Sequence, residues 1–141
     1  MPTPRIIWAL LPLSLGYARD IATGIGARLR GSGSALRLVE DREQPQILDK
    51  IAAGDGVIIR AGSAAAIAAC ARACRHVVNV SAQLPWTRIA VSTALPDNHA
   101  VGRVAADHLL ARGYRHCAAF YHQQQDYCQQ RCYGFAQGLA D

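Results

Sequence analysis

The chain has 141 residues, 51% of them hydrophobic, and a formal charge of +5. That is enough apolar sequence for one packed domain and too much for a disordered one. Lys50 is the only lysine, and the arginines that carry the remaining positive charge are scattered singly among carboxylates. A nucleic-acid surface concentrates its cations in a patch or stripe, so this segment does not read as one. The apolar stretch Ile6 to Leu15 is interrupted by Pro12 and runs into the charged Tyr17-Ala-Arg-Asp20 rather than a small-residue cleavage site. No run approaches the roughly 18 apolar residues of a membrane span. Five cysteines, an odd number, in a chain without secretory features point to free thiols in the reducing cytoplasm.

Short apolar runs alternate with helical segments. Ile6 to Leu13 reads as a first strand, followed by a helix over Tyr17 to Arg30 with Ile21, Ile25, Arg28 and Leu29 on its inner side. Gly31-Ser-Gly-Ser34 is a turn, and Leu36 to Val39 a second strand. Pro45 suits a first helical turn leading to Ile47, Leu48 and Ile51. Gly54-Asp-Gly56 breaks that helix before a third strand, Val57 to Ile59. Ser63 can cap an alanine-rich helix over Ala64 to Arg75, and Val77 to Val80 is a fourth strand. A loop with Pro85 and Trp86 precedes Ile89 to Val91, a candidate short extra strand.

Asp97 and Asn98 then supply an N-cap for a helix whose Val101, Val104, Ala105, His108 and Leu109 share one face. Arg112-Gly113 is a stop signal, and Cys117-Ala-Ala-Phe120 has the character of a fifth strand buried in a parallel sheet. Asp126 to Asp141 reads as a last helix with Cys128, Cys132, Phe135 and Leu139 roughly on one side. The alternation predicts an α/β fold, a doubly wound parallel sheet with strand order 2-1-3-4-5.

Chemical motifs are mostly excluded. Gly24-Ile-Gly26 lies inside the first helix rather than after the first strand, with Leu29 where a dinucleotide fingerprint needs glycine. The first strand lacks the acidic cluster that would hold Mg²⁺ for phosphoacceptor chemistry, and no nucleophile elbow is present. Cys70 with Cys74, and Cys128 with Cys132, are i,i+4 pairs on helices, a spacing read as core packing rather than metal ligation. No catalytic residue, metal or cofactor is expected. What remains is positional: in doubly wound sheets ligands lie outside the carboxyl ends of the strands. Those ends carry Ser14, Tyr17, Arg60, Ser81, Asp97 and the Tyr121-His122 pair, a set of hydroxyls, charges and rings suited to a polyhydroxylated ligand.

The run from Asp97 to His116, the apolar stretch after it, and Arg131-Cys-Tyr-Gly-Phe135 with Leu139 resemble the LacI/GalR-type effector-binding domain, which has the type I periplasmic-binding-protein fold. Asp55-Gly-Val-Ile-Ile59 is similar to the third strand of that domain. With only four residues before the first strand, the arrangement looks closest to the xylose-operon activators, in which a LacI-like sensor precedes an AraC-type DNA-binding domain. The resemblance implies a cytoplasmic, non-enzymatic, sugar-responsive transcriptional regulator, usually a homodimer, that holds its effector between two subdomains. It touches DNA only through a domain absent from this chain, and has no membrane partner. Residue by residue, it implies ligand contacts at Ser14, Tyr17, Asp97 and Arg131, the last two gripping the sugar from opposing subdomains. On this reading residues 1–122 form the N-terminal subdomain and 123–141 open a truncated second one. The alternative is a sugar-binding protein of a transport system with the same fold.

Overall fold

The computed structural model describes residues 5–40, 44–82, 91–122 and 125–141. These fall into two compact units, one up to Ala94 and one over Leu95–Asp141. Among the described residues no helix is long and apolar enough to cross a membrane.

The first unit holds a five-stranded sheet made of β1 (Ile6–Leu10), β2 (Ala35–Val39), β3 (Gly56–Ile59), β4 (His76–Asn79) and β5 (Ser92–Thr93). Every pairing is parallel and the order is β2-β1-β3-β4-β5. The predicted order therefore holds, but its fifth member is a different segment. Cys117 to Phe120 forms no strand, and Phe120 stands fully exposed. An apolar run becomes a strand only where a neighbouring strand takes its N–H and C=O groups, and the described part of its own unit contains no sheet. The Pro85–Trp86 loop and the first two residues of the predicted Ile89–Val91 strand lie outside the described residues.

Side chains alternate across the sheet as a pleated backbone requires. Trp8 and Leu10 of β1 join Val57 and Ile59 of β3 and Val77 of β4 in the larger core cluster. That cluster is covered by Ile47 and Ile51 and by Ile67 and Cys70 of α3 (Ala64–Ala73). Ala9 and Leu11 point the other way, onto Ala18 and Ala22 of α1 (Gly16–Leu29). Arg28, expected on the inner side of α1, is exposed; the helix rests on the sheet through Ala18 and Ala22, with Ile21 and Ile25 packed beside them. The segment around Pro45 is a single α-helical turn, α2 (Gln44–Ile47), continued by a 3-10 turn over Leu48–Lys50. Ser63 caps α3 as expected, its hydroxyl accepting from the Ala66 amide at 3.2 Å.

One buried carboxylate ties the unit together. Asp55, 6% exposed, accepts from Trp8 Nε1 at 2.9 Å, from the Ile6 amide at 3.1 Å and from the Ala52 amide at 3.0 Å. Burial raises its pKa, but the three donors, Trp8 foremost, outweigh burial and hold the carboxyl below its usual range.

The second unit pairs α4 (Asn98–Ala111) with α5 (Asp126–Ala140). Asp97 Oδ1 accepts from the Ala100 amide at 2.9 Å and caps α4. At its other end Gly113 takes φ 84°, with its amide on the Leu110 carbonyl at 2.9 Å and that of Tyr114 on Leu109 at 3.2 Å. These are the two bonds of a Schellman stop, as Arg112-Gly113 predicted. The packing face of α4 is not the predicted one. Val104 is 66% and Val101 43% exposed, and His108 is exposed, whereas Asn98, Gly102 and Ala106 are buried. The cause is glycine on both helices. A Cβ on Gly102 would overlap the Arg131 carbonyl, and one on Gly134 would overlap the His99 carbonyl. The seam runs along the smallest residues because only they allow backbones this close.

Candidate functional site

Strand order reverses direction between β1 and β3, with α1 on one face of the sheet and α3 on the other. A crevice outside the carboxyl ends of the strands opens at such a switch point. The residues that follow β1, β3 and β4 on that edge include four of the predicted contacts, Ser14, Tyr17, Arg60 and Ser81.

Two of the four are brought into direct register. The Arg60 guanidinium carbon lies 6.0 Å from the centre of the Tyr17 ring, within cation–π range. Tyr17 is 45% exposed, so the pair presents an aromatic surface beside a fixed cation. Ser14 is exposed at the end of the β1 loop, which is held by Arg19: its Nη1 donates to the Leu13 carbonyl at 2.8 Å and to the Ser14 carbonyl at 3.0 Å. Ser81 is only 3% exposed and offers a ligand little surface.

Asn79, which sequence reasoning passed over as a strand residue, organises this edge. Fully buried, it donates through Nδ2 to the Ser81 carbonyl at 2.8 Å, and its Oδ1 accepts from the Ser81 amide at 3.1 Å. The Ala61 amide approaches the same oxygen at 3.5 Å. One amide side chain thus links the ends of β3 and β4 and braces the backbone just after Arg60. The available signal was a polar residue closing the apolar run Val77-Val78, where an unpaired amide would be costly to bury.

In the second unit Asp97, which caps α4, and Arg131 of α5 belong to the same helix pair. Arg131 Nε donates to Asn98 Oδ1 at 2.9 Å, and its guanidinium carbon lies 5.2 Å from the Tyr127 ring centre. Asp97 uses one carboxylate oxygen for the cap. The two predicted residues are therefore neighbours through Asn98, and each already has a structural role. Tyr121 and His122 line a cavity of about 760 Å³ in this unit, together with Arg131.

No family model matches the sequence, and no curated protein matches it. Solved structures do match. A LacI family transcriptional regulator from Mycobacterium smegmatis superposes with a TM-score of 0.70 at 19% identity, covering 96% of this chain and 51% of that one. A periplasmic binding protein/LacI transcriptional regulator from Alkaliphilus metalliredigens, complexed with D-xylulofuranose, gives 0.72 at 22% identity over 96% of this chain and 52% of that chain. A glucose-galactose binding protein from Geobacillus stearothermophilus gives 0.69 at 19% identity over 100% and 55%. The chain spans about half the length of these structures. Its α/β architecture, a doubly wound parallel sheet, is the fold shared by LacI-type regulators and type I periplasmic binding proteins.

Proposed function

We propose that this chain is the sugar-sensing, effector-binding portion of a bacterial transcriptional regulator, with Ser14, Tyr17 and Arg60 as ligand contacts at the carboxyl edge of the sheet, the buried Ser81 shaping that edge, and Asp97 and Arg131 as ligand contacts of the second unit. The observation that carries the reading is the Tyr17–Arg60 pair at the switch point of the sheet. An apolar ring face beside a guanidinium suits a sugar, which stacks through its C–H face and bonds through its hydroxyls. The structural neighbour that holds D-xylulofuranose supports a sugar as the ligand class. On this reading the protein is cytoplasmic, homodimeric and non-enzymatic. It belongs with the xylose-operon activators of the AraC family and contacts DNA through a further domain. The effector acts by favouring one arrangement of the protein over another. The likeness to a glucose-galactose binding protein favours a second reading, a sugar-binding component of transport. The coding sequence downstream of Asp141 separates them, since a helix-turn-helix domain there fits only the regulator.

The test is calorimetric titration of the protein with a panel of pentoses and hexoses. Asp97→Ala and Arg131→Ala should each weaken binding of the cognate sugar by about 2–3 kcal/mol, the range for hydrogen bonds to charged groups. Because Asp97 also caps α4, Asp97→Ala should cost about 1 kcal/mol of stability, while Asp97→Asn keeps the cap and still loses affinity. Wild-type affinity in both Asp97→Asn and Arg131→Ala would contradict the assignment of these contacts.

A further inference from the structure

We propose that Cys128 and Cys132 form a two-coordinate site for a soft monovalent cation of the Cu(I) class. The chain contains two i,i+4 cysteine pairs, and the structure separates them sharply. Cys70 and Cys74 are 1% and 3% exposed, and burial raises both thiols, which keeps them protonated and inert. Cys128 and Cys132 are only half-buried, which corrects their assignment to the core, and both line the same cavity of about 760 Å³.

The spacing selects the ligand. Residues four apart on a helix have Cβ atoms about 5–6 Å apart. A disulfide needs sulfurs at about 2.05 Å, which this arrangement does not favour. A linear S–M–S unit instead holds its sulfurs two metal–thiolate bonds apart, about 4.6 Å if each bond is near the ~2.3 Å of zinc–thiolate, a span that side chains one helical turn apart can reach. A tetrahedral divalent ion needs further ligands, and among the described residues no group of three His, Cys, Asp or Glu side chains is placed to hold an ion. Paired thiolates with no hard donor prefer a soft ion. Binding replaces two S–H bonds with two S–M bonds and releases two protons, leaving a bis-thiolate of charge −1. Arg131 lines the same cavity and supplies a compensating positive charge.

Anaerobic titration of the fully reduced chain with Cu(I), against a chromophoric Cu(I) chelator, tests the site. The expected result is one Cu(I) per chain with two protons released. Cys128→Ser and Cys132→Ser should each weaken binding by about 100-fold or more, while Cys117→Ser, half-buried but outside the cavity lining, leaves it unchanged. Should a serine variant fail to fold, alkylation of the wild type followed by peptide mass spectrometry reads the same site, with Cu(I) shielding Cys128 and Cys132 alone. Cu(I) retained by the folded double variant, shielding that falls on other cysteines, or no uptake by the wild type would overturn the proposal.

Discussion

Gly134→Ala is expected to destabilise Leu95–Asp141 by about 3 kcal/mol or more, the upper end of overpacking effects. In an exposed helix interior the same exchange is stabilising by about 1 kcal/mol, since alanine loses less backbone entropy. The sign reverses at Gly134 because the new Cβ meets the His99 carbonyl, a backbone atom that cannot rotate away. Gly102→Ala should behave alike, its Cβ also lying 2.7 Å from the Phe135 amide nitrogen. Gly24 is the internal control: it sits within α1 with no atom within 4 Å of a built Cβ, so Gly24→Ala should raise stability slightly. Urea denaturation followed by circular dichroism reads all three. Stabilisation by Gly134→Ala would mean that α4 and α5 do not approach as closely as described.

Asp55→Ala should cost the sheet unit about 3 kcal/mol, because it leaves the Trp8, Ile6 and Ala52 donors without their acceptor. The carboxyl has a lowered pKa in the folded chain, so its contribution is present above the unfolded value of about 3.9. That contribution is lost as pH falls through the folded value. Wild-type stability should therefore fall on acidification below about pH 4, and this part of the fall should be missing from Asp55→Ala. Tryptophan fluorescence of the wild type and variant across pH 2–7 would show it. Parallel acid-denaturation curves would place the acid sensitivity elsewhere.

What the sequence made legible was what local physics determines. The apolar runs Ile6 to Leu13 and Val57 to Ile59 read as buried parallel strands, and strands form there over Ile6–Leu10 and Gly56–Ile59; the caps at Ser63, Asp97 and Gly113 follow from side-chain and backbone chemistry within a few residues. What was not legible depends on partners distant in the chain. Cys117 to Phe120 has the composition of a strand but, among the described residues, no strand beside it, and pattern alone cannot supply a partner. The face of α4 was misassigned because helical periodicity weighs hydrophobicity, whereas here backbone proximity favours Gly102 and Ala106 over Val101 and Val104. At the candidate site the residue types were readable, but the Tyr17–Arg60 pairing and the Asn79 brace are products of the sheet's register.

Hydrogen exchange measured with and without the sugar panel reports where a ligand rests on the sheet as well as whether it binds. A bound sugar should slow exchange in the loop after β1, around Ser14 to Tyr17, and at the ends of β3 and β4, around Arg60 and Ser81. Protection confined to the amino ends of the strands, or none for any pentose or hexose, would contradict an effector site at the carboxyl edge of this sheet.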